Sequence, residues 1–179
     1  DEAMSREALS FPHDPVGLGV DVARFGMNKS VVFPRKGRDA RTIPFQTYQG
    51  LDTVTLATKV FEAQQALHAD GLFVDGGGVG GGVVDNIRNK QLFCYEVQFG
   101  AKDTVPHTVF GSNGEKYANM RSGMYGAGRA WLETGCIPNE PELAKQFRAI
   151  RYVLNKQDCI QLVSKEDMLK LDPDLELDD

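Results

Sequence analysis

No apolar run in the 179-residue chain approaches the ~18 to 20 residues that a membrane-spanning helix requires, and the polar, acidic start lacks a basic region followed by an apolar one. Cysteine is scarce. Cys94, Cys136 and Cys159 are widely spaced and form no CxxC pair, which excludes a zinc knuckle or a disulfide framework and leaves three thiols suited to a reducing compartment. Internal repeats are missing, and the only low-complexity tract is a short glycine run. A surplus of positive charge is missing too, since the net charge is -5. That acidity is local, however. From Lys165 onward there are seven acids and two lysines, so of 25 acids and 20 bases the first 164 residues keep 18 of each. Two basic groups stand out in this neutral part, Arg35 to Arg41 and Lys145 to Lys156, and each is as readily a solvated face as a phosphate contact.

The central stretch is Gly17-Leu18-Gly19-Val20-Asp21-Val22-Ala23-Arg24-Phe25-Gly26. Its alternation predicts a strand with the valines on one face and Asp21 on the other. A second apolar run, Gly71 to Val74, ends at Asp75 and opens into the glycines of 76–82; a third group of acids includes Asp178 and Asp179. An isolated carboxylate in a partly buried place is costly unless a cation or donor answers it. Three such groups, distant in sequence, therefore make a candidate cage for divalent metal. The glycine run has no following Lys-Ser or Lys-Thr, so it is not a Walker A loop. Six glycines in seven positions exceed the needs of a turn, which favours close approach of a substrate backbone.

Read in order, residues 1–15 are expected to be a linker or a peripheral segment, and 16–179 one domain. Strands are expected at 17–22, 30–33 and 42–48, with a turn from Pro34 to Ala40 between the last two. A helix capped by Asp52 or Thr53 runs to His68. A short strand to Asp75, a helix over 82–89 and a strand over 93–97 complete a β-β-β-α-β-α-β order. A long helix follows over 115–133, weakened by Gly123, Gly126 and Gly128, then a helix over 140–147 and a hairpin over 150–163. Ser164 caps a last helical turn, with Asp167 three residues on.

The Gly17–Gly26 stretch, Val74-Asp75 with Gly78, Gly80 and Val83, and Leu162-Val163-Ser164-Lys165-Glu166-Asp167-Met168 together resemble the nuclease domain of tailed-bacteriophage terminase large subunits. The resemblance implies a ribonuclease H-like α/β fold: a mixed sheet whose first three strands are antiparallel and later ones parallel, flanked by helices, with an added β-hairpin. It implies cutting of double-stranded viral DNA during genome packaging, with two divalent ions, Mg²⁺ or Mn²⁺. Asp21 and Asp75 fall on the family's first two metal-binding acids, and Asp179 or Asp178 is nearest the third. Arg24, Lys165, Arg151 and Lys156 become candidate DNA contacts, and residues 1–15 the remnant of an upstream ATPase domain. Small terminase subunit and portal or procapsid are the partners implied for the full-length protein, in the host bacterial cytoplasm with no membrane attachment. Two other readings compete. An actin-like or sugar-kinase lobe shares the strand order and would bind nucleotide. A catalytically decayed docking module would fit Met27 and Asn28, which stand where family members often carry acids.

Overall fold

A computed structural model describes residues 2–23, 28–102 and 114–171. The chain divides into two compact units, one built mainly from residues 6–98 with 135–138, the other from residues 1–5, 99–134 and 139–179.

The first unit is a five-stranded sheet with two helices on one face. Its strands are β1 (Val16–Asp21), β2 (Lys29–Lys36), β3 (Gln46–Gln49), β4 (Gly71–Asp75) and β5 (Tyr95–Val97), in the order β3-β2-β1-β4-β5. β1 pairs antiparallel with β2 and β2 with β3, whereas β1–β4 and β4–β5 are parallel. This is the mixed sheet that the strand and helix order implies. After the short helix α1 (Glu2–Ser5) of the other unit, the crossover helices are α2 (Thr53–Leu67) and α3 (Gly80–Asn89).

Alternation along each strand decides which face is apolar. Leu18 and Val20 of β1, Val32 of β2, and Leu72 and Val74 of β4 are all buried and meet Leu56, Ala57 and Val60 of α2 and Val83, Val84 and Ile87 of α3. Each fully buried valine, leucine or isoleucine of this set contributes about 1.5 to 3 kcal/mol relative to exposure. Helix α2 begins where Asp52 accepts the Thr55 N–H at 2.7 Å and the Thr55 hydroxyl at 3.0 Å, and it ends at His68 in the left-handed region, φ 47°.

Three of the boundaries in this unit that differ from expectation have a visible cause. β2 runs through Pro34 to Lys36 rather than turning there, because β3 pairs only as far as Val32 and the residue without an N–H lies where one side of β2 has no neighbour. β3 is shorter than 42–48, since Asp39 captures the chain first: its carboxylate accepts the N–H groups of Arg41 at 2.8 Å and Thr42 at 3.0 Å. Helix α3 starts at Gly80, two residues early, for a reason that belongs to the site below.

The second unit holds α4 (Met120–Leu132), α5 (Pro141–Ala149), the hairpin strands β6 (Tyr152–Leu154) and β7 (Ile160–Leu162), and α6 (Lys165–Leu171). α4 starts five residues later than the periodicity suggests. Tyr117 is held in a bridge to Ile160, and Asn119 caps the helix by accepting the Ser122 N–H at 2.9 Å. The Ser122 hydroxyl in turn accepts the Leu162 N–H at 3.1 Å, tying the hairpin to α4. Gly126 lies against the Tyr117 ring, where any Cβ would collide with it. The hairpin is as expected, and Ser164 caps α6 by accepting the Asp167 N–H at 3.1 Å while its hydroxyl donates to the Asp167 carboxylate at 2.7 Å.

Candidate metal centre

β1 and β4 are parallel neighbours in the register Gly17↔Gly71 through Val20↔Val74, and the next residue of each strand is Asp21 and Asp75. Adjacent strands lie about 4.8 Å apart. Because the residues just before them, Val20 and Val74, both point into the core, Asp21 and Asp75 both leave the sheet on the opposite face. Asp21 is exposed and Asp75 half-buried. Two carboxylates at this spacing repel unless a cation lies near, and oxygen donors of this kind suit hard divalent ions.

The loop after β4 fixes Asp75. Its Oδ1 accepts the Gly77 N–H at 2.9 Å, and Gly76 N–H donates to the Val97 carbonyl at 3.0 Å. Gly78 takes φ +55°, and Gly80 abuts the Asp75 carbonyl so closely that a Cβ would overlap it. That contact lets α3 begin at Gly80. A Cβ at Gly76 would collide with Glu96 and Gln98, so three of the loop's six glycines have reasons internal to the fold. Glu96, an acid absent from the sequence reading, lies beside this loop but is paired with Arg88 at 3.3 Å and accepts from the Gln98 amide at 2.8 Å. Its register partner is Val74, not Asp75, so it leaves the sheet on the α3 side.

Among the described residues no group of three or more His, Cys, Asp or Glu side chains is arranged to hold a metal ion. Asp178, Asp179 and Arg24 lie outside the described residues. Lys165, Arg151 and Lys156 belong to the second unit. Lys165 opens α6. The Arg151 guanidinium donates to the carbonyls of Arg148 at 2.6 Å and Ile150 at 3.3 Å, at the C-terminal end of α5, and Lys156 is exposed in the hairpin turn.

No family model and no curated protein matches the chain. Solved structures do. The nuclease domain of the large terminase subunit gp2 of bacterial virus Sf6 superposes with TM-score 0.64 at 16% identity, covering 94% of this chain and 84% of that one. A variant of that domain solved with manganese and beta-thujaplicinol gives TM-score 0.64 at 15% identity, covering 97% and 88%. The large terminase nuclease from thermophilic phage G20c gives 0.59 at 9% identity, covering 88% and 76%, and it has also been solved with magnesium. The chain thus has the ribonuclease H-like fold of phage terminase nuclease domains.

Proposed function

We propose that the chain is a metal-dependent endonuclease that cuts double-stranded DNA during phage genome packaging, with residues 16–179 as its nuclease domain. One observation carries the reading: Asp21 and Asp75 end adjacent parallel strands at the same register, on the same face, in a fold shared with terminase nucleases. Asp21 and Asp75 would each hold Mg²⁺ or Mn²⁺, with Asp178 or Asp179 as the third ligand. A bound pair of such ions supplies an activated water and offsets charge on the leaving oxygen. The protein's part is to hold its oxygens still. Asp75 is fixed through Oδ1 by Gly77, which leaves Oδ2 for a ligand, and Gly80 packs closely against the Asp75 carbonyl.

Arg24, Lys165, Arg151 and Lys156 are assigned to backbone phosphates, so affinity falls steeply with salt and shows little sequence preference. In the full-length protein the domain would work beside the small terminase subunit and the portal, in the host cytoplasm. The test is supercoiled-plasmid nicking in Mn²⁺ against EDTA for the parent, Asp21→Asn and Asp75→Asn. Metal-dependent nicking lost in both variants supports the reading, and nicking that survives in either removes it.

A further inference from the structure

The sheet face that carries Asp21 and Asp75 also carries a row of rings. Register sets Phe33, Gly19, Phe73 and Tyr95 side by side across β2, β1, β4 and β5. Phe33 stacks on Phe45 with centroids 5.7 Å apart and 16° between planes. Phe73 stacks on Tyr95 at 5.1 Å and 15°, and Phe93 meets Tyr95 edge-on at 4.8 Å. These rings are open to solvent: Phe73 is 45% exposed, Tyr95 51% and Phe93 70%.

Between the two stacks β1 presents bare backbone. A Cβ at Gly17 would meet nothing within 4 Å, and one at Gly19 only the Phe33 carbonyl at 3.9 Å. The result is a trough with a glycine floor and aromatic walls, its flanking strands β2 and β4 separated by roughly 10 Å, two inter-strand spacings. Two residues beyond Gly19 and Phe73, on the same face, the floor reaches Asp21 and Asp75. Two residues the other way it reaches Arg35, opposite Gly17, whose guanidinium donates to the Gly37 carbonyl at 3.1 Å.

We propose that this trough takes unpaired nucleotides of the strand being cut, bases against the rings and backbone leading to the acid pair. The inference rests on the nuclease reading and adds that the substrate is locally opened. An extended peptide is disfavoured as occupant because β1 is paired on both sides and offers no free edge for strand addition. Ring faces accept any base by stacking, and a floor without side chains imposes no sequence. The trough also runs into the proposed reaction centre, which an unrelated docking patch has no reason to do.

The experiment measures anisotropy of a labelled single strand of about 12 nucleotides and of a fully paired duplex, in Ca²⁺, with parent, Gly19→Leu and Phe73→Ala. Leucine at 19 has room for its Cβ and fills the trough; Tyr95→Ala serves as a third variant if circular dichroism shows either of the others misfolded. Single-strand affinity should fall by roughly 5- to 150-fold, the range of one base–ring stack, with duplex affinity as in the parent. Unchanged single-strand binding overturns the proposal, as does a variant that instead abolishes self-association in sedimentation while binding oligonucleotide normally. If the parent nicks plasmid and Gly19→Leu binds and nicks like it, the trough reading fails and the nuclease reading stands. If the parent neither binds nor cuts DNA, both fail.

Discussion

Val16 and Asp70 exchange two hydrogen bonds: the Val16 N–H donates to Asp70 Oδ2 at 2.8 Å, and the Asp70 N–H donates to the Val16 carbonyl at 2.8 Å. The pair sits one step before Gly17↔Gly71 and so clamps the register that brings Asp21 beside Asp75. Since a one-residue slip would send one of the two acids to the opposite face, this contact acts on the site from the far end of the strands. Asp70→Ala should cost about 1 to 2 kcal/mol, the range of a lost hydrogen bond with a donor left unpaired. Urea denaturation reads that loss, and nicking activity per folded molecule should fall with it.

Asp21 and Asp75 answer differently to amide substitution and to metal. Asp75→Asn keeps an oxygen for the Gly77 N–H, and either change removes like-charge repulsion. The melting temperature without metal should stay level or rise. Added Mn²⁺ should raise it in the parent by mass action and not in Asp21→Asn or Asp75→Asn. Differential scanning fluorimetry with and without Mn²⁺ checks this without any substrate.

Asp39 is buried, 5% exposed. Burial alone would push its carboxyl up, but hydrogen bonds from Thr42, from the Arg41 backbone and from the Cys136 thiol outweigh it and hold it below the ordinary aspartate range. A carboxyl depressed in the folded state contributes stability above its unfolded pKa, and that contribution is lost as pH falls through the folded one. Asp39→Asn should therefore be less stable than the parent at pH 7, by about 1 to 3 kcal/mol. The gap should close below about pH 4, as chemical denaturation across pH would record.

Tyr117 faces the opposite limit. Burial, then the hydrogen bond to Glu115 at 2.6 Å, pushes its phenol up to about 12. A raised pKa means the stabilising form is the neutral phenol. Its contribution is complete below the unfolded pKa near 10 and is lost as pH rises from there through the folded value. One of the five tyrosines should titrate late by phenolate absorbance, and Tyr117→Phe should remove that step. Titration of all five together near pH 10 would contradict the packing of Tyr117 against Gly126.

Much of this was legible from residue types alone. Asp52 capped α2 as its position promised, and Ser164 with Asp167 opened α6. The alternation of Leu18, Val20 and Asp21 put the acid opposite the core. Other features escaped because their cause lay elsewhere in the chain. Pro34 looked like a turn until the short reach of β3 left its side of β2 open. The 115–119 segment looked helical until Ile160 claimed Tyr117. Among the glycines after Asp75, three answer to Glu96, to a left-handed turn and to the Asp75 carbonyl, none of which the sequence pattern alone names. The Gly-x-Gly-x-Asp spacing of β1 was a visible signal for the aromatic trough, but nothing local named Phe33 and Phe73 as its walls.

The sequence by itself determined the order and type of most strands and helices, which face of each strand is apolar, and that two strands end in aspartate, because these follow from side chains within a few residues of one another. Only the tertiary structure decided which strands are neighbours and in what register. Val16 and Asp70 are held together through backbone pairing far along the chain, and such pairing depends on burial of the whole sheet against α2 and α3. The adjacency of the two acids, and of the rings on their face, is a property of that packing.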